Sequence, residues 1–465
     1  VTTPHDFEAI RVQLDLPSAA TTDEFPADVE AEAAAIAAAE PSGVETLDLP
    51  FVTIDPPGAK DLDQAMFLER VGKGFRVHYA IVDLGSSIPA GGPVDTEARR
   101  RGQTVYLPDG RVPLHPTVLS EGALSLLPKQ LRRAAVWTID VDAEGKPATT
   151  SVKRALVTSV AQLDYEGVQA TFDAGKPHPS IEPLADLGRL RLAMRVGLGA
   201  IELALPEQEV VREGDDWRVH MRRRTNVDAW NAEISLLTGM AAAELMIDAK
   251  VGLLRTLPKP DGGAIKTFLR TARSLGIDVP EGATPATVLA VLDPDQPTAM
   301  ALMTDATKLL RGAGYTNFDG GGPNETSHAG IGGPYAHVTA PLRRLADRFG
   351  TEICLAICGK QQVPDWVREA LPSLPEIMLT SDHETAKADR SCIDAAEGWM
   401  LEGHIGESFD AVVLHVDDRG AEVMVVKPPV IARCKGAGLE EGAQISVRLD
   451  AIDVISFSYV GAKTG

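Results

Sequence analysis

At 465 residues, 44% hydrophobic and 24% charged, the chain is long enough for two or three domains and too apolar for general disorder. A formal net charge of −21 excludes a general nucleic-acid coat, which gains affinity by neutralising phosphates with Lys and Arg, but leaves room for an enzyme with a confined basic channel. Four cysteines without a CxxC pair, no apolar run of membrane-spanning length and no leader-like N-terminus predict a soluble, cytoplasmic protein with reduced thiols and no membrane partner.

Residues 1–45 read as a helical N-terminal arm, Asp6 to Leu14 followed by the alanine-rich Pro26 to Ala39. Two short helices and a turn could form a helix-turn-helix. Against a nucleic-acid role, Arg11 is the only basic side chain among many acidic ones in the first fifty residues, which favours a packing arm. Next comes an apolar strand, Phe51 to Ile54, stopped by Pro56-Pro57-Gly58 and flanked by Asp55, Asp61 and Asp63. An extended backbone directs Asp61 and Asp63 to one side. Oxygen donors gathered on a rigid turn suit a hard cation such as Mg²⁺, with a solvated acidic turn as the plain alternative.

From 46 to 395 β-rich and helical patterns alternate without an internal repeat, as in one large α/β (α+β) domain. Phe75 to Leu84 predicts a central strand ending at Asp83, which can cap a turn. Tyr106 lies in a short apolar stretch before Pro108-Asp109-Gly110, and by itself reads as a core aromatic. Ala229 to Glu244 predicts a buried helix on which Glu233 is either a functional carboxylate or a surface residue. Thr339 as N-cap with Pro341 in the first turn predicts a helix start, offering backbone N–H groups and the Arg343 guanidinium to a phosphate. Arginine runs at 99–101, 132–133, 222–224 and 343–344 permit a local basic channel, although each alone reads as a solvated face. Residues 396–465 turn all-β, with strands at Ser408 to Val416, Ala421 to Val426, Val430 to Lys435 and Gln444 to Val454, a spacing that fits a five-stranded OB barrel.

Thr53-Ile54-Asp55 with Asp61-Leu62-Asp63, and far along the chain Ser327-His328 through His337-Val-Thr339-Ala-Pro341-Leu-Arg343-Arg344, resemble the signatures of the ribonuclease II/R (RNB) exoribonucleases. The resemblance implies an RNB catalytic domain at 46–395 and an S1-like RNA-binding barrel at 396–465. It also implies a short-N-terminus variant, because residues 1–45 cannot hold the cold-shock barrels common in the family. The entrance would then be more open and admit RNA with structure near its 3′ end.

By the same resemblance Asp55, Asp61 and Asp63 hold Mg²⁺, with Mn²⁺ as a substitute, and the family's fourth aspartate is here Gln64, an uncharged ligand at most. Arg343 and Thr339 meet the phosphate, Tyr106 stacks on the terminal base, and Leu203 stands where the family has a second clamping aromatic. Glu233 is the candidate for a helix-borne glutamate, and Asp83 matches a strand-end aspartate of supporting role. The implied activity is a processive 3′-to-5′ exoribonuclease acting as a monomer on RNA and releasing nucleoside 5′-monophosphates. Two rivals are a catalytically weak RNA-binding regulator and a different Mg²⁺ phosphohydrolase. The absence of GxxxxGK and HExxH removes NTPase and zincin readings.

Overall fold

The computed structural model describes residues 5–462. Its first sheet closes into a five-stranded barrel of β1 (Phe51–Ile54), β2 (Gln64–Val71), β3 (Gly74–Val82), β4 (Leu131–Val141) and β5 (Pro147–Leu163). Neighbouring strands are antiparallel except β1 and β5, whose parallel pairing closes the ring. At 17 residues, β5 is long enough to pair with β4 along one stretch and with β1 along another. The expected α/β class is seen, and the closure adds what no local pattern contained, since it depends on pairing residues about a hundred positions apart.

Both faces of this sheet are covered, and β3 is buried on both sides from Tyr79 to Val82 after alternating through Arg76 and His78. One face carries Val52, Met66, Tyr79, Ile81 and Trp137 and packs on the long helix α3 (Asn226–Ala249) and on α4 (Leu345–Cys358). The opposite face, with Phe51, Ala65, Ala80 and Val82, is covered by Leu119, Leu126 and the arm.

The arm's two helices are α1 (Glu8–Gln13) and α2 (Ala27–Ala37). They pack rather than present a reading face: Val29 and Ala33 enter the core, and Glu32 accepts the N–H of Val94 at 2.7 Å. Arg11 is fully buried against Asp109, and Phe7 packs against Trp217 and Trp399.

Helix α3 starts at a reciprocal box between Thr225 and Asp228. At its middle, Gly239 lets the chain from Ser327 onward lie directly on it, because a Cβ there would stand 2.1 Å from the Tyr335 ring. The Ala336 N–H also donates to the Gly239 carbonyl at 3.0 Å, so α3 anchors the segment that leads to Arg343.

Helix α5 (Leu374–Met400) leads to the second closed barrel, β6 (Ser408–Asp417), β7 (Gly420–Val425), β8 (Val430–Lys435), β9 (Gln444–Ala451) and β10 (Ser456–Ala462), in the order β6-β7-β8-β10-β9. Its core is Val413, Val423, Val447, Leu449 and Phe457. It is tied to the rest by Lys308, whose ammonium reaches His415 at 3.0 Å while His415 also meets Glu441 at 2.7 Å. Among the described residues no helix is long and apolar enough to cross a membrane, and the four cysteines are free.

Candidate active site

The site forms where the acidic turn after β1 meets the segment entering α4. Asp63 is buried, and its Oδ1 accepts the N–H of Leu342 at 2.7 Å while Oδ2 lies 3.7 Å from Arg343 Nε. Burial pushes the Asp63 carboxyl well above the usual carboxylate range, and Arg343 and the Leu342 N–H pull the other way.

Asp55 sits at the end of β1, with Oδ2 buried and without a hydrogen-bond partner among the described residues. Its pKa is raised to about 6, chiefly by burial, with Thr53 and Arg343 lowering it and the charge of Asp61 raising it. Asp61 is held from the other side: Tyr106 donates its hydroxyl at 3.1 Å and Arg111 Nη1 lies at 3.4 Å. Tyr106 and Arg111 are cross-strand partners in the hairpin of Val105–Leu107 and Gly110–Val112, so both reach the same carboxylate.

The predicted helix start at Thr339 is not formed. Residues 339–344 make a turn and α4 begins at Leu345 with Arg344 before it. The reason is that the donors are already engaged: Ala340 N–H goes to Asp347 at 2.7 Å, Leu342 N–H to Asp63, and Leu345 N–H to the Gly102 carbonyl at 2.9 Å. The N–H groups of Ala340, Leu342 and Leu345 are therefore not left open, and Thr339 itself is buried, whereas the Arg343 side chain is half exposed.

Gln64 has protein partners at both ends of its amide. Its amide nitrogen donates to the Thr339 carbonyl and its oxygen accepts from the Tyr79 hydroxyl at 3.1 Å, which in turn meets Ser235 at 2.8 Å. The amide needs both of its ends for this bridge, which explains Gln where an aspartate would set a carboxylate against a carbonyl.

Glu233 is neither RNA-facing nor a surface residue. It is buried in an ion-pair group with Arg195 and, at 3.7 Å, Arg191. Leu203 packs on the small helical cluster of Ile201, Phe268 and Leu302 and does not line the cavity beside Tyr106. Asp83 caps a turn through Ser86 and pairs with Arg154 at 2.8 Å. Many arginines of the runs are paired with acids of this chain: Arg99 with Asp95, Arg101 with Glu97, Arg222 with Asp228 and Arg344 with Asp347.

Two cavities flank the acidic turn. One, of about 700 Å³, opens beside Tyr106 between Arg255 and α5, and another, of about 680 Å³, joins Pro56 and Pro57 to Tyr165, Arg222 and Arg223.

With this geometry in view, residues 44–352 match the model of the RNB domain. The chain belongs to the RNB family. Residues 407–456 of this RNB chain match the RNase II-type exonuclease C-terminal S1 domain, which accounts for the second barrel. Ribonuclease R of Escherichia coli (strain K12) is 31% identical over 322 residues, covering 65% of this chain and 39% of that protein. An exosome complex exonuclease RRP44 homolog A of Arabidopsis thaliana is 28% identical, covering 67% of this chain and 35% of its own length. The RNB chain thus spans well under two thirds of these curated relatives. Among solved structures, Mycoplasma genitalium RNase R in complex with ribose-methylated single-stranded RNA shares the fold at a TM-score of 0.86, with 19% identity, over 98% of this chain and 77% of that one. Yeast Ssd1, a pseudonuclease, shares it at 0.69, with 19% identity, over 88% and 54%.

For a divalent cation, the donor chemistry of the RNB site fits: the turn offers only oxygen ligands, and the buried, unpartnered Asp55 Oδ2 is an acceptor that wants a positive partner. The three carboxylates do not converge as a ready cage, since among the described residues no three acidic, His or Cys side chains stand at metal-holding spacing. Asp61 and Asp63 lean on Arg111 and Arg343 instead. Arg111 escaped the sequence reading, although the Asp109-Gly110 turn signal could have set it opposite Tyr106.

Proposed function

We propose that the chain is a divalent-metal-dependent exoribonuclease that removes nucleoside 5′-monophosphates from RNA 3′ ends. The observation that carries this reading is the junction of Asp63 with Leu342 and Arg343, which joins the acidic turn and the guanidinium segment at one point. Asp55, Asp61 and Asp63 would hold Mg²⁺, or Mn²⁺ in its place, which when bound lowers the cost of deprotonating the attacking water and offsets phosphate charge.

Arg343, with its side chain half exposed beside Asp63, neutralises the charge that grows on the phosphoryl oxygens. Tyr106 offers its ring to the terminal base, a contact blind to sequence because every base has a π-face. Its hydroxyl meanwhile holds Asp61, so seating the base and placing a ligand are one event.

A second reading, a weakly catalytic RNA-binding protein, is favoured by the engagement of Gln64, which leaves the turn with three carboxylates. One experiment separates the two. Oligoribonucleotides labelled at the 3′ or the 5′ end are incubated with Mg²⁺ and then with EDTA. The exonuclease releases labelled monophosphate at once from the 3′ label and stops on chelation; binding without release supports the weak binder, and release indifferent to EDTA overturns the metal reading.

A further inference from the structure

Asp61 is the acidic residue of the site most fully taken by protein donors. Tyr106 occupies Oδ2, and Arg111 occupies Oδ1. Arg111 is shared, because its other terminal nitrogen contacts Glu121, on the short helical turn Leu119–Ala123. Both partners are largely sheltered, with side chains 16% and 19% exposed, and the Arg111 side chain is 25% exposed. A guanidinium this close to a metal-type carboxylate supplies the charge that a bound cation otherwise supplies. At 3.4 Å the Asp61 contact is a long one, and Glu121 is a second carboxylate that holds Arg111 when that contact is given up.

We propose that Arg111 is a built-in counter-cation for Asp61, which a divalent ion must displace from Asp61, leaving it on Glu121 alone, before Asp61 can serve as a ligand. This rests on the metal-dependent reading above. It assigns Arg111 as a positioning residue that sets the cation affinity of the site, and Glu121 as the carboxylate that receives it. Displacement gives up the long Asp61 contact to the incoming cation and keeps the Glu121 contact, with no covalent bond made or broken.

The two residues carry opposite predictions. Removing Arg111 frees Asp61, so Arg111→Gln binds Mn²⁺ more tightly, by about fivefold for a partly sheltered pair. Removing its fallback ties Arg111 to Asp61, so Glu121→Gln binds Mn²⁺ more weakly by a similar factor. Arg111→Lys keeps the charge and stays near the wild-type affinity. The test is Mn²⁺ titration of the RNA-free full chain, followed by the paramagnetic resonance of free Mn²⁺. A role confined to stiffening the hairpin would lower thermal stability in both variants and leave opposite shifts in affinity unexplained. If wild type binds Mn²⁺ and both Gln variants bind it equally well, the Arg111 proposal is overturned and the exonuclease reading stands. If wild type takes up no Mn²⁺ at all, both fall. Should Arg111→Gln not fold, the weakening in Glu121→Gln decides alone.

Discussion

The carboxylate of Asp63 accepts the backbone N–H of Leu342 at 2.7 Å, across 279 residues of chain. This bond fixes the acidic turn to the segment that carries Arg343, and asparagine at 63 can keep it through its own oxygen while losing the charge. Asp63→Asn is therefore expected to fold and to melt at or above the wild-type temperature, because a charge that burial disfavours is gone. RNA decay should fall on the order of a hundredfold. Melting curves beside decay of a 5′-labelled oligoribonucleotide check both; unchanged decay would remove Asp63 from the chemistry.

Asp55 gives the metal-free protein a characteristic pH dependence. Its pKa stands near 6 in the folded chain against 3.8 as the ordinary value, so folding binds a proton here and the sign is fixed. The contribution is fully present below about pH 4 and is lost as pH rises through 6. Asp55→Asn should be more stable than wild type at pH 7 and equal to it near pH 4, read from denaturant midpoints in EDTA. Mn²⁺ affinity should drop as pH falls through 6, since the proton and the cation compete for one carboxyl.

The proposed function gives Tyr106 two roles that substitutions can separate. Alanine removes the ring, a loss of roughly 1–3 kcal/mol of stacking that appears as a higher KM and longer residual fragments. Phenylalanine keeps the ring and removes only the 3.1 Å bond to Asp61, so KM is retained while kcat and the Mn²⁺ midpoint move. Equal behaviour of the two variants would show that the hydroxyl does not matter.

The parts of the site that could be read from the chain were those whose meaning is local. Asp55, Asp61 and Asp63 follow one strand and one turn, and the strand patterns of the C-terminal barrel follow alternation within a few residues. The errors came where a distant partner decides. Thr339 has good helix-start chemistry, but Asp63 and Asp347 take the N–H groups that a free helix end would expose. Glu233 lies on a largely buried helix, and only Arg191 and Arg195 reveal which way it faces. Closure of the first barrel likewise rests on β1 meeting β5, a pairing that neither strand announces.

Gln64 tests whether an amide is required between Tyr79 and the Thr339 carbonyl. Gln64→Asp sets a shorter carboxylate where an N–H donor was needed, leaving the buried Thr339 carbonyl unpaired at a cost of about 1–3 kcal/mol at neutral pH. Denaturant midpoints measure the loss. Glu in the same place keeps the length and carries the same repulsion, so it too should be destabilised; a stabilised Gln64→Asp with stronger Mn²⁺ uptake would show that a fourth carboxylate is accommodated as a ligand after all.

The arm holds the hairpin that carries Tyr106 and Arg111. Arg11, fully buried, grips Asp109 at the hairpin tip with bonds of 2.6 and 3.2 Å and also donates to the Pro17 carbonyl at 3.0 Å. Taking away one partner of such a pair leaves the other uncompensated, so Arg11→Met should cost about 3 kcal/mol, the low end for a buried pair because Asp109 keeps some solvent. The effect on function follows from geometry: a loosened tip frees Tyr106 and Arg111 together, raising KM for RNA in the folded protein. Replacing both partners, Arg11→Met with Asp109→Leu, removes the stranded charge and should recover most of the stability, while the hairpin still lacks its directional tie and KM stays high. Stability and KM recovering together would mean that the arm merely fills space over the hairpin.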